Sequence, residues 1–279
     1  MIFIFLSICC SVLVSVLLKL AKRYHINVTQ AIAWNYLSAG FLCYLFYRPQ
    51  VFNLNINDTP YPVYILLGLL LPVLFVLLAT SIRFSGIVRT DVAQRLSLFI
   101  PVLAAFLLFK EVPSLIKTAG IAVGFAAIIC SIPWQKQNQD KGANSGWIYL
   151  LAVFIGLGII DILFKQIAQN KQIPYTSSLF IVFIIAFLVS IITLVILFIT
   201  GKSKFEWINL LCGLVLGMAN FGNILFYIKA HQSLASQPSV VFSAMNIGVI
   251  IMGSLVGILI FREKLSRLNY AGIALALVS

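Results

Sequence analysis

The stretch FKEVPSLIKTAGIAVGF at residues 109–125 returns as FREKLSRLNYAGIALAL at residues 261–277. The offset is 152, and seven of the seventeen positions are identical. Phe109-Lys110-Glu111 matches Phe261-Arg262-Glu263, and Ser114 matches Ser266. Ala119-Gly120-Ile121-Ala122 matches Ala271-Gly272-Ile273-Ala274. An apolar chain produces chance matches among Ile and Ala. It does not produce by chance a Phe–basic–Glu element with a Ser at fixed spacing, twice. A second echo, Leu18-Lys19 against Phe164-Lys165, lies upstream of each copy. An internal repeat of this length decides the architecture before any single motif does.

The chain around this repeat has 279 residues, of which 62% are hydrophobic and 9% charged. Its mean hydropathy is +1.08. Soluble domains carry about 25% charged residues. No soluble globule of this size hides so much apolar surface, because folding leaves a large surface in water. Lipid is therefore the solvent for most of the chain. A secreted domain, a cytosolic enzyme and a disordered regulator are excluded. The net charge of +12 then belongs to span ends and loops, not to a nucleic-acid surface.

A transmembrane helix needs about 20 apolar residues. Ten segments qualify, at 2–20, 29–47, 62–84, 87–109, 114–132, 146–168, 176–200, 206–230, 236–261 and 266–279. Runs such as 178–198 show no alternation of polarity, so helices are expected and a β-barrel is not. The last segment is short, about 18 Å of helix over 268–279. The first has no basic leader and no small-x-small cleavage site, and reads as a retained span. The one long polar linker, 134–145, separates a first half (1–133) from a second (146–279). Five spans in each half is an odd number. The halves then enter the membrane in opposite senses, as an inverted-topology repeat.

Pro101, Phe109-Lys110-Glu111 and Ala119-Gly120-Ile121 resemble the repeat unit of the EamA-like drug/metabolite transporter superfamily. That unit is a Pro-containing helix, a Gly/Phe-x-Glu turn and a Gly-bearing fifth helix. Asn246-Ile247-Gly248 through Phe261-Arg262-Glu263 and Ala271-Gly272 look like the second copy, with Gly253 where the first has Pro101. The resemblance implies a ten-helix integral membrane carrier of a small organic solute, in the cell (plasma or inner) membrane. It does not imply which solute.

An ionisable side chain inside a span costs roughly 2.5–3.5 kcal/mol on insertion scales, so it is a functional candidate by default. Asp161 lies deep in the sixth segment, with Lys165 four residues on and on the same face. They read as a charge pair lining the solute cavity, or as a neutralised structural pair with Lys165 reaching for the helix end. Asp91 and Arg95 repeat this spacing at the start of the fourth segment. Thr90 can cap that helix and Asp91 can face its positive end, which leaves Arg95 unexplained. Arg83, Arg89 and Arg95 around one turn read as an attractor for an anionic or carboxylated solute or as interfacial anchors, and the anchor reading is preferred for Arg83 and Arg89. Asn220, Asn223 and Tyr227 share one helical face, and Asn246 matches Gln94 under the offset. These amides read as cavity lining or as interhelical hydrogen-bond glue. In the second segment Trp34, Asn35 and Tyr36 are consecutive, so at most two of them point inward. Glu111 and Glu263 occupy equivalent repeat positions and read as structural, through an ion pair or a helix cap. Gly120/Gly124, Gly213/Gly217 and Gly253/Gly257 allow close helix packing, within the bundle or between two copies of a homodimer.

The five cysteines lie in apolar runs without metal-ligand spacing, and His25 and His231 stand alone. No cofactor or metal motif, nucleophile triad or phosphate loop is present. The chain therefore reads as a carrier and not as an enzyme. Its rivals are a membrane-embedded lipid-modifying enzyme and a membrane scaffold. Lys and Arg favour the connections after odd-numbered spans, 13 of 19, which argues for external termini. The family resemblance implies cytoplasmic ones.

Overall fold

The computed structural model describes residues 1–24, 26–50, 60–85, 87–131, 143–170, 172–260 and residue 275. The described residues form ten helices and no strand. They are α1 (Ile2–Arg23), α2 (Val28–Tyr47), α3 (Tyr61–Ser85), α4 (Ile87–Leu96), α5 (Phe99–Leu107), α6 (Leu115–Ser131), α7 (Ala143–Gln169), α8 (Tyr175–Ile199), α9 (Trp207–Ser233) and α10 (Pro238–Leu259). Among the described residues, five helices are long and apolar enough to cross a membrane: α3, α7, α8, α9 and α10. Shorter apolar stretches lie in α1, across α4–α5 and in α6. The linker at 134–145, in its largest part, and the tenth segment, except residue 275, lie outside the described residues. So does Phe261-Arg262-Glu263.

The fourth segment, expected as one continuous span over 87–109, is two helices. Pro101 is the cause. It has no N–H for the carbonyl of Ser97, and its ring crowds that carbonyl. The ladder slips to shorter bonds instead, Leu98 N to Arg95 O and Ile100 N to Ser97 O. The Ser97 hydroxyl takes up the Gln94 carbonyl at 2.6 Å. After α5 the chain turns at Lys110, whose φ of 52° is left-handed. That turn carries Glu111 back into the protein, where it is only 6% exposed.

Two helix pairs run parallel. The Gly213 side of α9 lies on Ala31 and Trp34 of α2, and Gly217 lies one turn on against Asn35 and Ser38. Likewise α3 follows α8, with Tyr64 bonded to Ser178 at 2.6 Å and Gly68 against Val182 and Ile185. Three contacts are antiparallel. Phe3 and Ser7 of α1 meet Lys229 and Asn223 of α9. Leu74 and Ser85 of α3 meet Gly156 and Gly146 of α7. Gly40 and Cys43 of α2 meet Phe183 and Thr176 of α8. The fully buried Tyr36, Tyr64, Phe183 and Phe242 fill the centre. Large apolar side chains such as Phe41, Leu188, Ile192 and Leu211 face outward. An outer surface of this kind suits a lipid solvent.

At the end where α2 and α9 begin, a polar network binds the two helices. Gln30 and Asn209 are both fully buried. The Asn209 amide donates to Gln30 Oε1 at 3.0 Å, and Gln30 Nε2 donates to the Lys204 carbonyl at 2.7 Å. The Asn27 N–H donates to Asn209 Oδ1 at 3.0 Å. Buried amides are tolerated when every group finds a partner. Gln30→Leu removes an acceptor from the Asn209 amide and the Glu206 N–H, and the donor to the Lys204 carbonyl. It should lower stability by about 1–3 kcal/mol, read as a fall in the thermal midpoint of the purified protein in detergent. An unchanged midpoint would show that water replaces the lost partners.

Candidate functional site

Helix α9 organises the site. Asn220, Asn223, Tyr227 and His231 recur at spacings of three and four, so one stripe of the helix is polar. The stripe turns inward because Gly213 and Gly217 let α2 come within backbone contact. Facing Tyr227 across the bundle is Asp161 of α7. The Tyr227 hydroxyl donates to Asp161 Oδ1 at 2.9 Å. Asp161 is half-buried, eight residues or about 12 Å of helix from the end of α7. Among the described residues, no ion pair neutralises it.

From Tyr227 a chain of ring contacts runs on. Phe164 meets Tyr227 edge-on at 6.1 Å. Tyr227 meets His231 at 4.7 Å, and His231 meets Phe242 of α10 at 4.7 Å. His231 is fully buried, and neither ring nitrogen has a hydrogen-bond partner. Such orphans are uncommon in native structures, because each forfeits its hydration without compensation. Asn220 Nδ2, both side-chain polar atoms of Asn35, the Tyr36 hydroxyl and Ser243 Oγ are orphaned as well.

Lys165 does not join Asp161. It is fully buried, yet its Nζ donates to the Ala235 carbonyl in the α9–α10 turn at 3.1 Å. It also lies 5.9 Å from the centre of the Phe109 ring and feels the Glu111 charge. The i, i+4 spacing allows an Asp161–Lys165 pair. The long lysine stem instead carries the ammonium toward the end of α7, where a carbonyl and a carboxylate await it. Glu111 accepts from the Ser239 N–H at 2.8 Å and from the Ser239 hydroxyl at 2.7 Å. Ser239 is in the first turn of α10, where N–H groups lack helical partners and the dipole favours an anion. Glu111 thus caps a helix of the other half of the chain, the structural role expected of it.

The other candidates scatter. Asn223 accepts twice from the Ser7 hydroxyl, at 2.9 Å through its carbonyl and its Oδ1, and so ties α1 to α9. Asn246 donates to the Phe242 carbonyl of its own helix at 3.1 Å. Arg95 is half-buried in the last turn of α4, at the negative end of the dipole. The Asp91 side chain lies outside the described residues, as does that of Arg83. Arg89 is exposed beside Trp147 and Phe154 in an apolar cavity of about 460 Å³, a position that suits an anchor. Asn35 and Tyr36 point inward, while Trp34 is half-buried against Phe205. A larger cavity, about 550 Å³, opens beside the cluster at Gln169, Asn170, Tyr175, Gln232 and Ala235. Ala235, which lines this cavity, is also the acceptor for Lys165.

His231 is the residue that sequence reasoning passed over. Its signal was present, four residues after Tyr227 on the same stripe. A lone histidine has no metal-ligand or triad partner in the sequence, and only the fold puts it between two rings.

Residues 1–132 match the EamA-like transporter family. The chain is 43% identical over 278 residues to an uncharacterized protein of Haemophilus influenzae, covering 97% of this chain and 93% of that protein. It is also similar to a protein of known crystal structure at 12% identity with a TM-score of 0.71, over 99% of this chain and 93% of that one. That likeness is one of fold. The Pro-bearing fourth segment, the Phe-x-Glu turn and this match agree: the chain belongs to the EamA-like transporter family, within the drug/metabolite transporter superfamily, and is a multi-pass integral membrane protein.

Proposed function

We propose that the protein is a secondary carrier that moves a small organic solute by alternating access, with the solute bound between the two halves beside Asp161. The observation that carries this reading is the Asp161 carboxylate. It sits within a span, holds one hydrogen bond from Tyr227, and has no ion-pair partner among the described residues. A group so costly in lipid is kept for a ligand or an ion.

The packing supports the two-half arrangement. Exchange of the halves turns the antiparallel α1–α9 contact into the antiparallel α7–α3 contact. It turns the parallel α2–α9 contact into the parallel α8–α3 contact, and α2–α8 into itself. Parity supports it too. The parallel run of α2 and α9 requires an odd number of spans between them, which holds when α4 and α5 count together as one span and five lie between. A discontinuous helix of that kind is a recurring feature of secondary transporters. Halves of opposite sense can exchange roles, one closing an end while the other opens the opposite one.

Flux into proteoliposomes across a panel of amines, organic acids and amino acids tests the carrier reading. Saturable uptake of at least one solute is expected. No uptake of any solute would remove it in favour of a scaffold or a lipid-modifying enzyme. Proton coupling at Asp161 is the accompanying reading of mechanism. Asp161→Asn should abolish pH-driven uptake while leaving the thermal midpoint within a few degrees of wild type. A pH dependence that survives in the variant would exclude Asp161 as the proton site.

A further inference from the structure

We infer that the solute is an organic amine carrying a second hydrogen-bonding group, and that His231 is the residue that reads that second group. The inference rests on the carrier reading above and adds the chemistry of the cargo.

Charge comes first. A carboxylate in a span needs a proton or a cation. The nearest cation along the helix, Lys165, is already held by the Ala235 carbonyl, near the Phe109 ring. Among the described residues no side-chain cation pairs with Asp161, so the cation assigned to it is an ammonium brought by the solute. The surroundings suit an ammonium, because Tyr227 bonds Asp161 directly and Phe164 packs edge-on against Tyr227, and aromatic faces attract desolvated cations. An anionic solute would meet the Asp161 charge directly.

The second observation is independent of that charge. His231 is fully buried and both its nitrogens lack partners, while its ring stacks edge-on against Tyr227 at 4.7 Å. A neutral imidazole offers one donor and one acceptor. Left unpaired they destabilise the empty protein, and a solute hydroxyl or carbonyl would satisfy them. Asp161 is reached through Tyr227, and His231 follows Tyr227 by four residues, about 6 Å along the helix. The solute's two polar ends should be separated by a similar span.

A matched set of four-carbon probes tests this. They are 4-aminobutan-1-ol, butylamine and butyrate, with binding read by thermal stabilisation of the purified protein and transport by uptake of the radiolabelled compounds into proteoliposomes. The amino alcohol should bind about tenfold tighter than butylamine, the factor for one added hydrogen bond of about 1.4 kcal/mol. Butyrate should not bind. Asp161→Asn should weaken both amines at least tenfold. His231→Phe keeps the ring between Tyr227 and Phe242, and should erase the preference for the amino alcohol while leaving butylamine within about twofold of wild type. Should His231→Phe fail to assemble, the wild-type ratio of amino alcohol to amine decides the point alone. Butyrate binding in preference to the amines, or amine binding that survives Asp161→Asn, overturns the inference. So does an equal affinity for amino alcohol and amine. If an acid shows saturable flux and the amines none, the inference fails and the carrier reading stands. If neither amine nor acid nor any solute in the wider panel is carried, both fail.

Discussion

Glu111→Ala should lower the stability of the protein by about 3–5 kcal/mol, the range for breaking a buried charged contact from one side. The carboxylate is 6% exposed and accepts two hydrogen bonds from Ser239, through the backbone N–H and the hydroxyl. Its removal strands both donors in the first turn of α10 and takes away the negative charge that favours the buried Lys165 ammonium. Glu111→Gln keeps the shape and one acceptor and loses the charge, so it should cost less, about 1–3 kcal/mol. The measurement is the thermal midpoint of each variant in the same detergent. Equal midpoints for the Ala variant and wild type would mean that Glu111 does not hold α10. Ala235, the acceptor for Lys165, also lines the 550 Å³ cavity. A milder lesion there should therefore alter uptake before it alters folding. Glu111→Gln should change the rate of solute flux more than the affinity for solute.

Gly213→Val is expected to prevent assembly of the bundle. A Cβ at this position would lie 2.5 Å from the Ala31 carbonyl oxygen and 2.6 Å from Trp34 Cβ. The first of these is backbone, which cannot rotate away as a side chain can. Overpacking in a core costs typically 1–3 kcal/mol when side chains can yield, and here α2 and α9 must separate. That separation also pulls at the Gln30–Asn209 network on the same two helices. The expected result is protein lost from the membrane fraction, or recovered with a midpoint lowered by more than that of Gln30→Leu. Gly253→Val is the control, since no described residue lies within 4 Å of a Cβ there. A normal yield of Gly213→Val would show that α2 and α9 approach less closely than the structure has them.

Much of the architecture could be read from residue order. Nine of the ten apolar segments correspond to described helices with ends within a few residues, because a lipid solvent punishes every polar interruption and makes the boundaries visible. The repeated Phe-x-Glu turn pointed to Glu111 as a structural residue. The consecutive Trp34, Asn35 and Tyr36 obeyed the rule that neighbours on a helix face different ways. The break between α4 and α5 was signalled only by Pro101. A proline within an apolar run is compatible with a kink as well as a break, and the slip in the hydrogen-bond ladder at Ser97 decides between them.

The site was less legible, for a physical reason. Periodicity states which side chains share a face of one helix. It does not state what lies across from that face or how far a flexible side chain travels. Asp161 and Lys165 share a face of α7, yet the four-carbon stem of Lys165 takes its charge to Ala235 and Glu111. Asn223 and Asn246 have polar side chains in spans, and each is spent on protein, one on Ser7 and the other on its own helix. By itself the sequence determined that lipid is the solvent, where most of the helices run, and that Asp161 is the costly charge to explain. Only the tertiary structure decided that Tyr227 bonds Asp161, that Lys165 serves the end cluster, and that His231 lies unpaired beside them. These depend on contacts between different helices, such as Tyr227 to Asp161, 66 residues apart, and such contacts are set by packing that no local pattern records.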